Sequence, residues 1–380
     1  MQRFSICFLA TVILVWTGTT SAAIDLKKFG RIINTEGQVT LVHHDGKRAA
    51  GAPNLPLQPG DRLITGENGV VRFLLDEGYF FTLFEKSAAT IDELVLFDPE
   101  KSPALLLEAG HLQTEQAFRV NSIGLALPVI YTPGVIIQTK IATFDTVVSP
   151  DGTTAIAVKQ GLIKIKRERD WLTLSGGENV VLGMDGQPDE SALNLPGQND
   201  TVRQWRKAQT AKLAAGLKRT LPQLHATFEQ ATTSLQEEIK HLTEVARSLD
   251  EPLTAQKNGL EQSRKYDQTL GRQMSVRQKT FDQRTGWFRE KLNRVTVLAG
   301  LLPRLDQELT ASGTAADNES RAQLKIELEF VKTKMPGLQK QTAAMIDVIR
   351  QIDARNRELA ALQAKTESRY KAGLEVIKDK

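Results

Sequence analysis

Few residues of this 380-residue chain have types and spacings that do chemistry. His43-His44-Asp45 is the only local cluster with metal-ligand residue types. Adjacent side chains on a strand point to opposite faces, so two neighbouring histidines do not converge on one ion. Asp45-Gly46 reads instead as a hairpin turn. His111, His225 and His241 stand isolated in the sequence, and His241, beside Leu242 on a helix, is expected at the surface. Cys7 is the only cysteine, and it falls in the N-terminal leader. A mature chain without it has no disulfide framework, no Cys-ligated metal and no thiol nucleophile. No phosphate loop, dinucleotide fingerprint, metallopeptidase helix or serine elbow is present. Carboxylates are plentiful on the helical half but sit among Lys and Arg, as on a solvated face. Trp205 and Trp287-Phe288 read as packed aromatics, with partner anchors as the alternative. The expectation is a non-enzyme with no catalytic, cofactor-binding or metal residues. A hydrolase built on scattered carboxylates is the reading set against it, and a pocket gathering two of them with shifted pKa values would revive it.

The elements that would position any site fall into two halves. The first residues, MQRFSICFLATVILVWTGTTSAAID, carry Arg3, then an apolar run from Phe4 to Trp16, then small residues before Ala22 or Ala23. That is a secretory signal peptide over residues 1–23, the apolar run being short for a membrane span. An uncleaved anchor is the alternative. Residues 24–195 form a β-rich domain, 196–202 a linker and 203–380 an α-helical region. Charge divides along the same line. Residues 24–200 hold about 16 basic and 23 acidic side chains, residues 201–380 about 32 and 22. In an exported protein the basic helical half suits an acidic envelope polymer, lipid surface or acidic protein rather than nucleic acid. A solvated helical surface explains it equally.

From Phe29 to Met184 the pattern is period-two alternation or short apolar runs, punctuated by TEGQ, HHDGKR, QPGD, SPDG, SGGE and MDG turns. Ala155 and Ala157 alternate with Ile156 and Val158. The pattern predicts an all-β sandwich or solenoid.

The order GQVTLV, LPLQPGDRLITGENGVVRFLLDEGYFFTLFEKS, LLLEAGHL, then TP, F and DGTTAIAVKQGLIKI resembles the FecR domain over residues 30–183. Leu57, Gly60, Asp61 and Thr65 match its Gly-Asp segment. Asp76 and Gly78 match an Asp-Gly turn, with Glu77 inserted. Thr132-Pro133, Phe144 and Asp151-Gly152 match its later motifs. Lys140, Ile141 and Ala142 stand where the family has Arg-Gly-Thr, so a basic residue is kept but the glycine and hydroxyl are not. The resemblance implies a β-rich, solenoid-like periplasmic module of a Gram-negative bacterium. The family's best-known members regulate iron-uptake sigma factors through a cytoplasmic helix bundle ahead of a membrane span. Here a signal peptide stands in that place, so direct sigma-factor binding is not expected. The quoted residues also have folding reasons. Gly60 and Gly152 suit positive φ, Asp61 and Asp151 bond nearby amides, and Pro133 fits a strand start.

Beyond Asp200, an expected N-cap, apolar residues recur in steps of four and three. One series runs from Leu217 through Phe228 and Leu235, with Glu238 in the register, to Leu249, and a break is expected at Pro252. A second runs from Leu270 to Leu309, with Arg277 and Arg284 in apolar slots. A third runs from Leu324 to Leu359 after a helix start at Asp317 or Ser320. Asn356 falls in its seam, where a buried Asn sets register. Pro336-Gly337 predicts a kink. An antiparallel hairpin of long helices or a self-associating coiled coil fits.

Together these readings predict a multidomain, non-catalytic periplasmic FecR-like protein acting as an interaction, sensing or scaffold module. Its expected partner is an envelope protein, with no cofactor and no nucleic acid. A structural, peptidoglycan-associated protein using its basic helical half on an anionic envelope polymer is the alternative.

Overall fold

The computed structural model describes residues 30–75, 78–94, 103–116, 127–167, 170–189, 199–262, 267–311 and 318–378. The leader at 1–23 and residues 196–198 of the expected linker lie outside these. Among the described residues fourteen strands precede three helices. They are β1 (Gly30–Glu36), β2 (Val39–Val42), β3 (Arg48–Ala50), β4 (Pro56–Leu57), β5 (Arg62–Thr65), β6 (Val70–Leu75) and β7 (Tyr79–Leu83). Then come β8 (Ala88–Ile91), β9 (Ala104–Gln116), β10 (Val129–Tyr131), β11 (Ile136–Val148), β12 (Thr154–Lys166), β13 (Trp171–Ser175) and β14 (Asn179–Leu182).

Strand pairing resolves this sheet into two leaves that share three long strands. One leaf runs β3-β2-β5-β8, then the first half of β9, β10, the first half of β11, the second half of β12, and β13. The other runs β4-β1-β6-β7, then the second halves of β9 and β11, the first half of β12, and β14. All pairings are antiparallel except β9 with β10. The register shifts that mark the crossing fall beside Glu108, Lys140 and Lys159, one in each shared strand. A bulge bends a strand and raises its twist, which lets it leave one leaf for the other. Glycine completes the corners. Gly110 has φ +105° and Gly161 φ +86°, and a Cβ on Gly161 would lie 1.8 Å from the Ile141 carbonyl oxygen. Between the leaves lies one apolar core that includes Phe73, Phe81, Phe144 and Ile156.

Thr154 through Val158 of β12 are all buried, and Ala155 lies against Val202 and Trp205 of α1. Pro133 departs from its expected place: it sits in the tight turn between β10 and β11, where Thr132 and Val135 close the loop.

Helix α1 spans Asn199–Glu261, α2 Gln268–Ala311 and α3 Asn318–Lys378. Asp200 is therefore inside the first turn of α1, where its charge meets the positive end of the helix dipole, rather than at the cap. The helix starts within the expected 196–202 linker. Ser320 is likewise inside α3, and Asp317 lies outside the described residues. The break expected at Pro252 is absent: α1 runs unbroken through Pro222 and Pro252. Leu249, Leu253 and Leu260 are buried on both sides of Pro252, so tertiary packing offsets the lost backbone donor. α3 is helical through Pro336-Gly337 as well.

The ladder of cross-helix pairs sets the directions. Glu238 meets Arg284 and Lys291, and Ser248 meets Arg277, so α1 and α2 are antiparallel. Lys218 meets Glu319, His225 meets Glu327 and Lys257 meets Glu358, so α1 and α3 run parallel. The result is an up-down-up bundle within one chain rather than a two-helix hairpin. The apolar series of all three helices supply its core. Asn356 is half-buried and donates to Gln278 Oε1 at 2.9 Å, a polar tie between α3 and α2.

Candidate functional site at the junction of sheet and helices

The outer face of the sheet and the bundle meet along apolar patches ringed by ion pairs. Val297 of α2 packs on Ala104, Leu106 and Tyr131. Val202 and Trp205 of α1 pack on Val147, Ala155 and Val181, so Trp205 is a packed aromatic. From the sheet side Leu94 enters the helical core. Arg289 Nε donates to Asp92 Oδ2 with both side chains buried, and Asp92 Oδ1 also accepts from the Leu94 amide at 3.0 Å. Lys166 Nζ donates to both oxygens of Glu290, at 2.8 and 2.7 Å. Arg206 bridges Glu308, at 3.1 Å, and the carbonyls of Glu85 and Lys86. Burial pushes the Tyr131 hydroxyl far above its ordinary titration range.

Most of the motif residues singled out in the sequence separate into two groups, and Gly60 of one and Thr132, Pro133 and Gly152 of the other border this junction. Gly60, at φ +86°, donates its amide to Ile91 and lines a cleft of about 220 Å³ between β8 and helices α2 and α3. Asp61 beside it is fully buried and accepts from the Gln58 amide at 2.9 Å and contacts His43 Nδ1 at 3.1 Å. Thr65 Oγ1 donates to the Phe84 carbonyl and accepts from the Ser87 amide. Leu57 is buried in the sandwich core. The second group joins residues some twenty positions apart. Thr154 Oγ1 donates to Thr132 Oγ1 at 3.1 Å. Asp151 Oδ1 accepts from the Thr153 amide at 3.0 Å and from Ser149 Oγ. A Cβ on Gly152, at φ +84°, would meet Pro133, Met184 and Leu301 of α2. Thr132 and Pro133 line a second cleft of about 240 Å³ with Lys166, Glu290 and Arg294. Phe144 is a core residue, and Lys140 is the bulge of β11. Ile141 is exposed and Ala142 buried. Gly78 donates to Leu75 in the turn, and Asp76 lies outside the described residues.

His43 pairs with Asp61, whereas Asp45 caps its own turn through the Lys47 amide, so the HHD triplet is divided between two local jobs. Among the described residues no group of three or more His, Cys, Asp and Glu side chains could hold a metal ion.

His111, isolated in the sequence, is not isolated in the fold. It is buried, lies against the Phe84 ring at 4.2 Å and contacts Asp145 Oδ1 through Nε2 at 3.1 Å. Lys159 Nζ reaches the other Asp145 oxygen at 2.8 Å. Burial pushes the Asp145 carboxyl up, but the hydrogen bonds and charges of His111 and Lys159 outweigh it and hold the pKa below 3.8. A carboxyl depressed by folding adds stability that is complete above its unfolded value and is lost as pH falls through its folded value. The protein should therefore lose stability on acidification below about pH 4, and Asp145→Asn should be weaker at neutral pH with a shallower acid slope. Urea unfolding across a pH series checks this; equal slopes in both proteins would refute it. Strand register places His111 near Asp145, since Val147 lies opposite His111, but no local pattern marks the pair. His225 is likewise paired, with Glu327 at 2.6 Å, while His241 is exposed.

No family model matches the chain, and no curated protein matches it. Among solved structures, two crystal structures of a candidate anti-sigma factor from Parabacteroides distasonis are similar to part of it, each with 12% identity and a TM-score of 0.28. The matched region covers 34% of this chain and 57% or 56% of those chains, a little over half their length.

Proposed function

We propose that the chain is a non-catalytic, exported, FecR-like envelope protein that holds a β-sheet binding module on a long helical stalk and acts as an interaction, sensing or scaffold element. One observation carries this reading: α1 and α2 pack directly on strands of the sheet, through Val202 and Trp205 on one patch and Val297 on another, with Gly60, Pro133 and Gly152 beside the helices. α1 alone, at 63 residues, is about 95 Å long at 1.5 Å per residue, which suits spacing and presentation. The buried carboxylates fit the same reading. Asp61, Asp92, Glu108, Asp145 and Glu238 each bond a neighbour that shapes the fold. Among the described residues no helix is long and apolar enough to cross a membrane.

The test is crosslinking of the tagged protein in cells followed by identification of what co-purifies. A discrete envelope protein attached through the sheet is the expected result. Fractionation of the protein with the cytoplasm, or crosslinks confined to the protein itself, would overturn the reading.

A second reading has its own observation. Arg219, Lys240 and Arg247 of α1 share one heptad position and are exposed, with no acidic partner among the described residues. A row of free cations fits an anionic envelope polymer. Retention on isolated sacculi that falls as salt rises would favour it.

A further inference from the structure

Three tryptophans fall among the described residues, and they divide sharply. Trp205 is sealed under α1 at 7% exposure, while Trp171 and Trp287 are 49% and 41% exposed. Large exposed aromatics with a polar edge are a common sign of binding. These two come from elements far apart in sequence, yet one ion pair lies next to both.

Trp171 of β13 is the direct cross-strand partner of Lys166 in β12. Lys166 bonds Glu290 of α2 at 2.7 Å. Trp287 precedes Glu290 by three residues, and Arg294 follows it by four. That i, i+3, i+7 spacing puts Trp287, Glu290 and Arg294 on one stripe of α2. Lys166 of the sheet and Glu290 and Arg294 of the stripe line the 240 Å³ cleft together with Thr227 and Gln230 of α1, and the two tryptophans flank it, outside the lining. The Arg284 guanidinium sits over the Trp287 ring, 4.7 Å from its centroid.

The charge in this cleft is largely cancelled. Lys166 is paired with Glu290, and Arg167 with Asp170. A polyphosphate, anionic lipid or acidic peptide would need more free cations than Arg294 supplies. What the walls offer is a mixture of hydroxyl, amide, carboxylate and ammonium groups, with an exposed indole next to the ion pair on the sheet and another on the helix. A sugar ring matches both halves of that chemistry. Its C–H face stacks on an indole, and its hydroxyls donate to and accept from mixed polar groups.

We propose that this cleft and the sheet and helix surface beside it bind a glycan chain, with Trp171 and Trp287 at its flanks stacking on sugar rings and Lys166, Glu290 and Arg294 bonding hydroxyls. This site is separate from the α1 cation row, and it stands whether or not a protein partner is captured. Binding here should survive high salt, whereas polymer held by the cation row should be released.

The experiment is a tryptophan-fluorescence titration of the mature protein. The probes are N-acetylglucosamine oligomers, soluble peptidoglycan glycan strands and neutral and uronic-acid oligosaccharides. A saturable spectral change with at least one of them, retained at high salt, is expected. Binding of that same probe, measured by calorimetry, should weaken about tenfold or more in Trp171→Ala and in Trp287→Ala. Both side chains are exposed, so both variants should keep the wild-type far-ultraviolet dichroism. Val276→Ala, an exposed apolar change elsewhere on α2, should bind as wild type. Absence of any glycan response overturns the proposal. So does binding unaffected by both tryptophan changes, or an acidic peptide bound more tightly than every glycan.

Discussion

Replacing Arg289 with alanine is expected to lower the stability of the protein by about 3–5 kcal/mol, the usual cost of leaving one member of a buried ion pair alone. Asp92 is 1% exposed and Arg289 7%, so water cannot easily take over the lost contact. The pair also ties residues 197 positions apart, joining the end of β8 to the middle of α2. The variant should therefore do more than lower the urea midpoint. Limited proteolysis should cut it faster at the sheet–helix junction than within either half. A second variant isolates the cause. Asp92→Leu with Arg289→Met removes both charges and should recover much of the loss. A single Arg289→Ala variant within 1 kcal/mol of wild type would show that the pair contributes little.

The second large effect is expected at a corner of the sheet. Gly161→Ala places a methyl carbon 1.8 Å from the backbone oxygen of Ile141, at φ +86°. Neither strand can yield without breaking the β11–β12 ladder, so a loss of about 3 kcal/mol or more is expected. Gly177 has nearly the same φ, +90°, but nothing within 4 Å of the position of its Cβ. Gly177→Ala should cost only the conformational part, about 1–2 kcal/mol. Unfolding curves for the two variants separate strain from collision. Similar losses in both would mean that β11 relaxes around the methyl group.

Much of this fold could be read locally. Period-two alternation and turn glycines place the strands, and steps of four and three select the residues that form the bundle core, with Glu238 buried among them. Local patterns fail where a distant element intervenes. Nothing local says what Ala155 faces until Trp205 of α1 is seen to pack against it. Pro252 looks like a terminator until buried leucines on both sides hold the helix together. The acidic partner of His111 is not local, because Asp145, 34 residues on, reaches it only across a strand pairing. The cleft flanked by two exposed tryptophans is the extreme case. Trp287 attracts notice in the sequence, but Trp171 becomes significant only once Lys166 is seen to reach α2.

The shared strands limit how the molecule can move. β9, β11 and β12 each belong to both leaves, so main-chain hydrogen bonds weld the sandwich, and opening one leaf from the other would break three ladders at once. Among the described residues no main-chain to main-chain hydrogen bond joins sheet to helices. Side chains alone span that seam, and side chains can exchange partners singly. Any motion between sheet and helices would then be a change of angle at that seam, and the length of the helices would convert a small angle there into a displacement many times larger at their far ends.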